Sequence, residues 1–179
     1  DKDVSEVPYL SNSINKIVVS RGNPFAKLMI IGEAPGAKEE EVGEPFVGRS
    51  GKLLDKLLQK AGIDINQDVY FCNVVKCRPP KNRRPTKAEI QENLPWLYQQ
   101  IKLVNPEIIV LVGATALEAI LKNKSPISIL RGKWISWNGR LVMPIFHPAY
   151  LLRNQSKEEG TPMCLTCLLY TSDAADDGL

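Results

Sequence analysis

The 179-residue sequence contains a single histidine, His147, so any chemistry that needs an imidazole must use that position. It has four cysteines, Cys72, Cys77, Cys164 and Cys167, and no legible secretory leader. Together these argue against a secreted disulfide framework and predict a cytoplasmic protein. The longest apolar runs, such as IIVLVGA at 108–114, are far too short to span a bilayer, which excludes a helical membrane protein. No GxGxxG or Walker loop is present, which removes the usual support for a generic nucleotide-binding domain. There is no internal repeat.

What remains is the composition of a globular domain, 44% hydrophobic and 24% charged, long enough to bury one core. The net charge of +3 leans only slightly toward polyanions, but its distribution is uneven. The stretch KCRPPKNRRPTK (76–87) holds six Lys/Arg and no acid. Such a patch can meet phosphates, or it can be a solvated surface loop.

Periodicity orders the rest. AKLMIIGEAPG (26–36) reads as a buried strand ended by Pro35 and Gly36. SGKLLDKLLQKAG (50–62) is an amphipathic helix with leucines at 53, 54, 57 and 58. DVYFCNVVK (68–76) is a second strand. TKAE (86–89) is a capping box opening a helix expected to bend or break near Pro95. PEIIVLVGA (106–114) is a third strand leading into the helix TALEAILKN. KWISWNGRLVMPIFHP (133–148) reads as a hairpin around Asn138-Gly139. Strands alternating with helices predict an α/β protein with a mainly parallel sheet covered on both faces. In such sheets ligands bind beyond the carboxyl ends of the strands. Three segments then converge there: the acidic loop GEAPGAKEEEVGEPFVG, Asn73 with the basic loop, and His147 with PAYLLR.

The stretches GEAPGAKEEEVGEPFVGRSGKLLD, NVVKCRPPKNRRP and HPAYLLR, in this order, resemble the bacterial family-4 uracil-DNA glycosylases, the cyanobacterial members most closely. The likeness runs from about Val18 to Thr161. It implies a three-layer α/β/α sandwich and an enzyme that hydrolyses the glycosidic bond of uracil in DNA, initiating base-excision repair. It also implies roles. Glu33 and Glu39 match the family's acidic positions, Phe46 its stacking aromatic, Asn73 its uracil-reading asparagine and His147 its catalytic histidine. Gly32, Ala34, Pro35 and Gly36 fall around the base.

The chemistry suits these residue types. An extruded base loses its stacking, and an aromatic face such as Phe46 replaces it, at roughly 1–3 kcal/mol per base. The plainer reading makes Phe46 a core residue after Pro45. A carboxamide matches the O4 acceptor and N3–H donor of uracil, whereas cytosine presents the opposite pattern. Asn73 is also a poor strand former inside an apolar run, a misfit of the kind found at sites or at bulges. Bond cleavage places negative charge on uracil O2, which an imidazole donor stabilises. Carboxylates near the sugar favour the oxocarbenium ion and orient water; Glu33 and Glu39 are the candidates, with Glu40 and Glu41 expected to be solvated. Which of the two handles water is left open, because Ala34 stands where the family-1 enzymes carry an aspartate. Leu151 and Leu152 are candidate wedges into the emptied stack. Arg78, Arg83, Arg84 and Arg153 are candidate phosphate contacts, and Gly48, Ser50 and Gly51 could offer backbone N–H groups.

The chain also departs from the family. The resemblance implies a 4Fe–4S cluster held by four cysteines, of which only Cys77 is present; another ligand position falls at Asn93, and the two N-terminal ones fall near Ser5 and Pro8. One thiolate cannot hold such a cluster, so the site is expected to be vacant and the basic loop looser unless other packing replaces it. No metal is expected to be needed for the chemical step. Residues 1–163 are expected to form one domain, with 1–17 irregular. Residues 164–179 read as a non-native tail in which Cys164 and Cys167 do not substitute as ligands. The expected protein is a monomeric, nucleoid-associated enzyme acting on uracil-containing DNA without membrane contact. The alternative is a catalytically impaired DNA-binding module with the same fold. A covalent uracil-trapping relative is disfavoured because VGRSGKLLD lacks its basic insertion.

Overall fold

A computed structural model of the chain describes residues 16–153. The continuous apolar run at 28–32 becomes β2 (Leu28–Gly32), buried at every position. Burial of both faces is what a central strand of a parallel sheet requires. Its neighbours are β3 (Val69–Asn73) on one side and β4 (Ile108–Val112) on the other, both parallel to it. β6 (Arg140–Ile145) continues the parallel set beyond β4. The edges are antiparallel: the short β1 (Arg21–Gly22) on β3, and β5 (Ile135–Trp137) on β6. The six-stranded order is β1-β3-β2-β4-β6-β5. The hairpin turn falls where Asn138-Gly139 predicts it, with both residues at positive φ (47° and 74°), as a tight turn of this kind requires.

Alternation along the strands sorts the core into two layers. Ile30, Val69, Phe71, Val110 and Met143 pack with Leu54 and Leu58 of α2 (Arg49–Lys60). Met29, Ile31, Cys72, Ile109 and Leu111 pack with Leu94, Leu97 and Ile101 of α3 (Lys87–Val104) and with Ala116 and Ile120 of α4 (Ala114–Leu121). The result is the expected sandwich. Leu54 and Leu58 are wholly buried, and truncating either to alanine would cost about 2–5 kcal/mol. Short helices α1 (Ala37–Val42), α5 (Ile127–Leu130) and α6 (Pro148–Arg153) complete the fold.

Two local expectations are corrected. The acidic stretch after Gly36 is not purely loop, because α1 turns inside it and ends at Gly43 with φ 86°. Of the expected bend or break at Pro95, the break does not occur, and α3 runs through that residue. Pro95 faces solvent while Leu94 and Leu97 face the core, so the carbonyl deprived of its N–H partner lies on the watered side of the helix. The capping box forms in both halves: Thr86 accepts from the Glu89 N–H, and Glu89 accepts from the Thr86 N–H at 2.8 Å.

Candidate active site

The register places Gly32, the last residue of β2, opposite Asn73, the last of β3, and Val112 of β4 opposite Ile145 of β6. Four strands therefore release their following residues at one edge. The chain order within β3-β2-β4-β6 reverses direction at β2, the point at which open α/β sheets bind ligands. From β3 to β6 is three strand steps, about 14 Å at ~4.8 Å each.

Asn73 is 3% exposed, yet its carboxamide has no hydrogen-bond partner among the described residues. The carboxamide is not among the sealed, unsatisfied groups of the core, so its donor and acceptor stay open to a ligand at this edge. A Cβ placed on Gly32 would lie 2.5 Å from Asn73 Oδ1 and 2.5 Å from Phe46 Cζ. Only glycine leaves this space clear between carboxamide and ring. Phe46 is a core residue as well as a wall of this space: it is 7% exposed, and its ring tilts against Phe71 at 5.8 Å between centroids. Its backbone has φ 57°, a left-handed conformation that costs a bulky residue on the order of 1–3 kcal/mol. Gly51 accommodates that backbone, because a Cβ there would lie 1.8 Å from the Phe46 carbonyl oxygen.

Glu33 follows β2 and accepts a hydrogen bond from the Thr115 hydroxyl in the first turn of α4. Arg84 Nε donates to the same Thr115 oxygen at 3.0 Å. Glu39, on α1, accepts the Gly48 N–H at 2.9 Å. The Gly48 amide, expected to face phosphate, is thus used inside the protein. Glu39 thereby tethers the turn between Phe46 and the start of α2. Ala34 packs at the edge of the core, Pro35 is buried, and Gly36 gives Glu39 room, since a Cβ there would meet Glu39 Oε2 at 2.9 Å.

His147 comes two residues after β6 and packs on Gly113, whose added Cβ would lie 3.5 Å from the His147 Cβ. Its Nδ1 accepts the Ala149 N–H at 3.0 Å. The imidazole is therefore neutral, with its proton on Nε2. Burial lowers its pKa, opposed by the charge of Glu33, with Arg153 lowering it further and Glu39 raising it. The charges of both glutamates thus act on the imidazole.

A model of the Uracil DNA glycosylase superfamily matches residues 19–167. The chain belongs to this superfamily. The type-4 uracil-DNA glycosylase of Thermotoga maritima is 46% identical over 159 residues, covering 88% of this chain and 82% of its own length. That of Saccharolobus solfataricus is 41% identical over 145 residues (76% and 67%), and that of Archaeoglobus fulgidus 40% over 147 (77% and 73%). The superfamily match ends inside the stretch read as a non-native tail; that tail, Leu151's side chain and most of residues 1–17 lie outside what is described.

For a superfamily member, the basic loop is less open to DNA than its composition suggests. Arg83 forms a two-bond pair with Glu89 (2.6 and 2.8 Å). Arg78 pairs with Glu40 at 3.1 Å, and Arg84 reaches Thr115 and Glu118. Glu40 is accordingly not the solvated residue expected: its side chain is only 22% exposed, whereas Glu41 does face water beside Lys38. Lys76, counted in the basic patch, points inward. Its ammonium donates to the Asn73 carbonyl and to Gln100, and burial lowers its pKa. The loop is pinned by these pairs, and Lys81 and Lys87 remain exposed on it. Ser50 and Leu152 are half-buried and Arg153 is exposed.

Among the described residues, the positions the family resemblance gives to the cluster do not supply a set of thiolates. Cys77 is fully buried, and the neighbouring ligand position is Asn93. Its Oδ1 accepts the Lys76 N–H at 3.0 Å and its Nδ2 donates to the Glu89 carbonyl at 2.8 Å. Both ends of that carboxamide serve as structural bonds. Among the described residues no group of three His, Cys, Asp or Glu side chains is arranged to hold a metal. Nor is any described helix long and apolar enough to cross a membrane.

The sequence reading missed Thr115, Lys76 and Arg21. Thr115 was open to detection, since it starts a helix directly after a strand's carboxyl end. Lys76 was masked by the basic run it begins.

Proposed function

We propose that this chain is a uracil-DNA glycosylase that takes an extruded uracil into the space bounded by Asn73, Phe46, Gly32 and His147. The base stacks on Phe46 and its O4 and N3–H edge pairs with Asn73, which suits uracil and leaves cytosine mispaired. As the C1′–N1 bond breaks, its electron pair moves into the uracil ring. The Nε2–H of neutral His147 then donates to O2 and stabilises the departing anion. Glu33 and Glu39 stabilise the cationic sugar, and a water oxygen bonds to C1′ while its proton passes to a carboxylate. Each carboxylate is held by one oxygen, Glu33 on the Thr115 hydroxyl and Glu39 on the Gly48 N–H, so either can orient that water with the other. No step is routed through a metal, and we infer that the family's cluster is not held.

The observation that carries this reading is the Asn73 carboxamide, which bonds to no described residue and stands beside the Phe46 ring across Gly32. Residues 1–163 act as one domain, DNA is the partner, and the protein works as a monomer at the nucleoid. Lys81, Lys87, Ser50, Arg153, Leu151 and Leu152 are the contacts proposed for the strand; Arg78, Arg83 and Arg84 reach phosphate only by releasing their carboxylates. The test is incubation with a uracil-containing oligonucleotide and alkaline cleavage at the abasic site. Wild type should cut, while His147→Ala and Asn73→Ala should each lose at least about a hundredfold. Full activity in both variants would sink the assignment. Binding without cutting by the wild type would favour a DNA-binding module instead.

A further inference from the structure

Arg21 belongs to none of the recognisable motifs. It stands on the short edge strand β1, its side chain only 11% exposed. Its Nε donates to the Pro45 carbonyl at 2.7 Å, and its Nη2 donates to the Phe46 carbonyl at 3.1 Å. The same Nη2 meets Asp55 Oδ1 on α2 at 2.7 Å. The guanidinium carbon lies 3.8 Å from the centroid of the Phe71 ring, the ring against which Phe46 tilts. The cross-strand register puts Arg21 directly opposite Phe71, so β1 presents the guanidinium on the Phe46 side of the sheet.

These contacts converge on one object. Phe46 carries a left-handed backbone that its own residue type disfavours. A planar fork clamps the carbonyls before and at that residue, and a cation covers the back of its neighbouring ring. Gly51 removes the Cβ that would push the same peptide away. We propose that Arg21 is a positioning residue that holds Phe46 at the angle from which its ring edge meets Gly32 and its face receives the base. This rests on the reading of Phe46 as the stacking platform. Arg21 itself touches no substrate. Lysine, a point charge on a flexible stem, can keep the Asp55 pair but cannot span two carbonyls.

The experiment is a double-mutant cycle on single-turnover uracil release from a saturating uracil-containing oligonucleotide. Arg21→Lys is expected to slow release about tenfold or more while KM changes less than about twofold, because a misplaced platform costs rate rather than DNA affinity. In a Phe46→Leu background the same substitution is expected to add less than about twofold. Additive losses, or a loss confined to KM, would overturn the proposal. Asp55→Asn, which keeps both carbonyl bonds, should slow release less than Arg21→Lys; the reverse order also overturns it. If the wild type releases no uracil, the functional reading fails, and Arg21 is then judged by urea unfolding. The shift in midpoint caused by Arg21→Lys should shrink in a Phe46→Gly background, where positive φ needs no brace. Equal shifts in both backgrounds would refute the clamp.

Discussion

The Thr115 hydroxyl donates to the Glu33 carboxylate, joining the first turn after β4 to the first residue after β2. Arg84 supplies the hydroxyl's own donor at 3.0 Å, which leaves the hydroxyl proton for the glutamate. One Glu33 oxygen is thereby fixed and the other left for substrate or water. Thr115→Val keeps the shape of this 2%-exposed residue but removes the bond. Its kcat is expected to fall about tenfold, or roughly 1.4 kcal/mol, with KM little changed. Thr115→Ser should recover most of the loss. A valine variant with wild-type kcat would mean that Glu33 needs no such restraint.

Because the chain has one histidine, its imidazole signal can be followed by NMR without assignment. Burial places the His147 pKa below the 6.5 of an exposed histidine. Glu33 raises it against that trend, so Glu33→Gln should move it further down. As pH falls, the unfolded chain takes up this proton before the folded one. The stabilisation from the neutral ring is therefore complete above about pH 6.5 and is lost as pH falls through the folded value. His147→Gln should flatten that part of the stability profile. A titration midpoint above 6.5 would contradict the burial argument.

Much of this arrangement was readable before any coordinates. Fully buried strands announce themselves as apolar runs, and the glycines and prolines after them mark where the chain leaves the sheet, so Glu33, Asn73 and His147 could be placed at one edge. α1 escaped notice because AKEEEV buries no residue and so has no apolar period. The pairing of Arg78 and Arg84 was invisible for another reason. Ion pairs such as Arg78 with Glu40 join residues 38 apart, and local composition records only that a stretch is basic. Arg21 illustrates the same limit, since its importance lies in two carbonyls and a ring that are remote in sequence.

The Arg83–Glu89 pair has a consequence in acid. The two guanidinium bonds, with the Thr86 N–H added, pull the Glu89 pKa from 4.5 to about 2. A depressed carboxylate contributes stability that is complete above about pH 4.5 and is lost as pH falls toward 2. Arg83 is two-fifths exposed, so solvent screening leaves on the order of 1–2 kcal/mol. Glu89→Gln should lose that amount at pH 7 in urea unfolding, and the gap to wild type should close near pH 2. A gap that persists undiminished in acid would assign the loss to the capping geometry instead of the charge.

At Gly32 the expected effect is on activity with the fold left standing. Its backbone φ is not in the left-handed region, so alanine there meets no backbone strain. The added methyl would instead lie 2.5 Å from both Asn73 Oδ1 and Phe46 Cζ, and the two must part. Gly32→Ala is expected to keep the wild-type circular dichroism and lose about a hundredfold in uracil release, since about 1 Å of misplacement in a site costs that much. An active Gly32→Ala variant would show that carboxamide and ring need not share this space.

Asn93 ties α3 to the turn after Asn73. Asn93→Ala would leave the buried Lys76 N–H without its acceptor, at a cost of about 1–3 kcal/mol. Melting should fall by roughly 2–4 °C per kcal/mol for a chain of this size. Uracil release should weaken with it, because the Lys76 ammonium also donates to the Asn73 carbonyl and a slackened turn carries Asn73 along. Iron measured on the purified wild-type protein supplies the complementary check. The Asn93 carboxamide already uses both of its ends in bonds to the backbone, so iron should be far below one cluster per chain. Stoichiometric iron, or an Asn93→Ala variant as stable as wild type, would show that the carboxamide is not what fastens this loop.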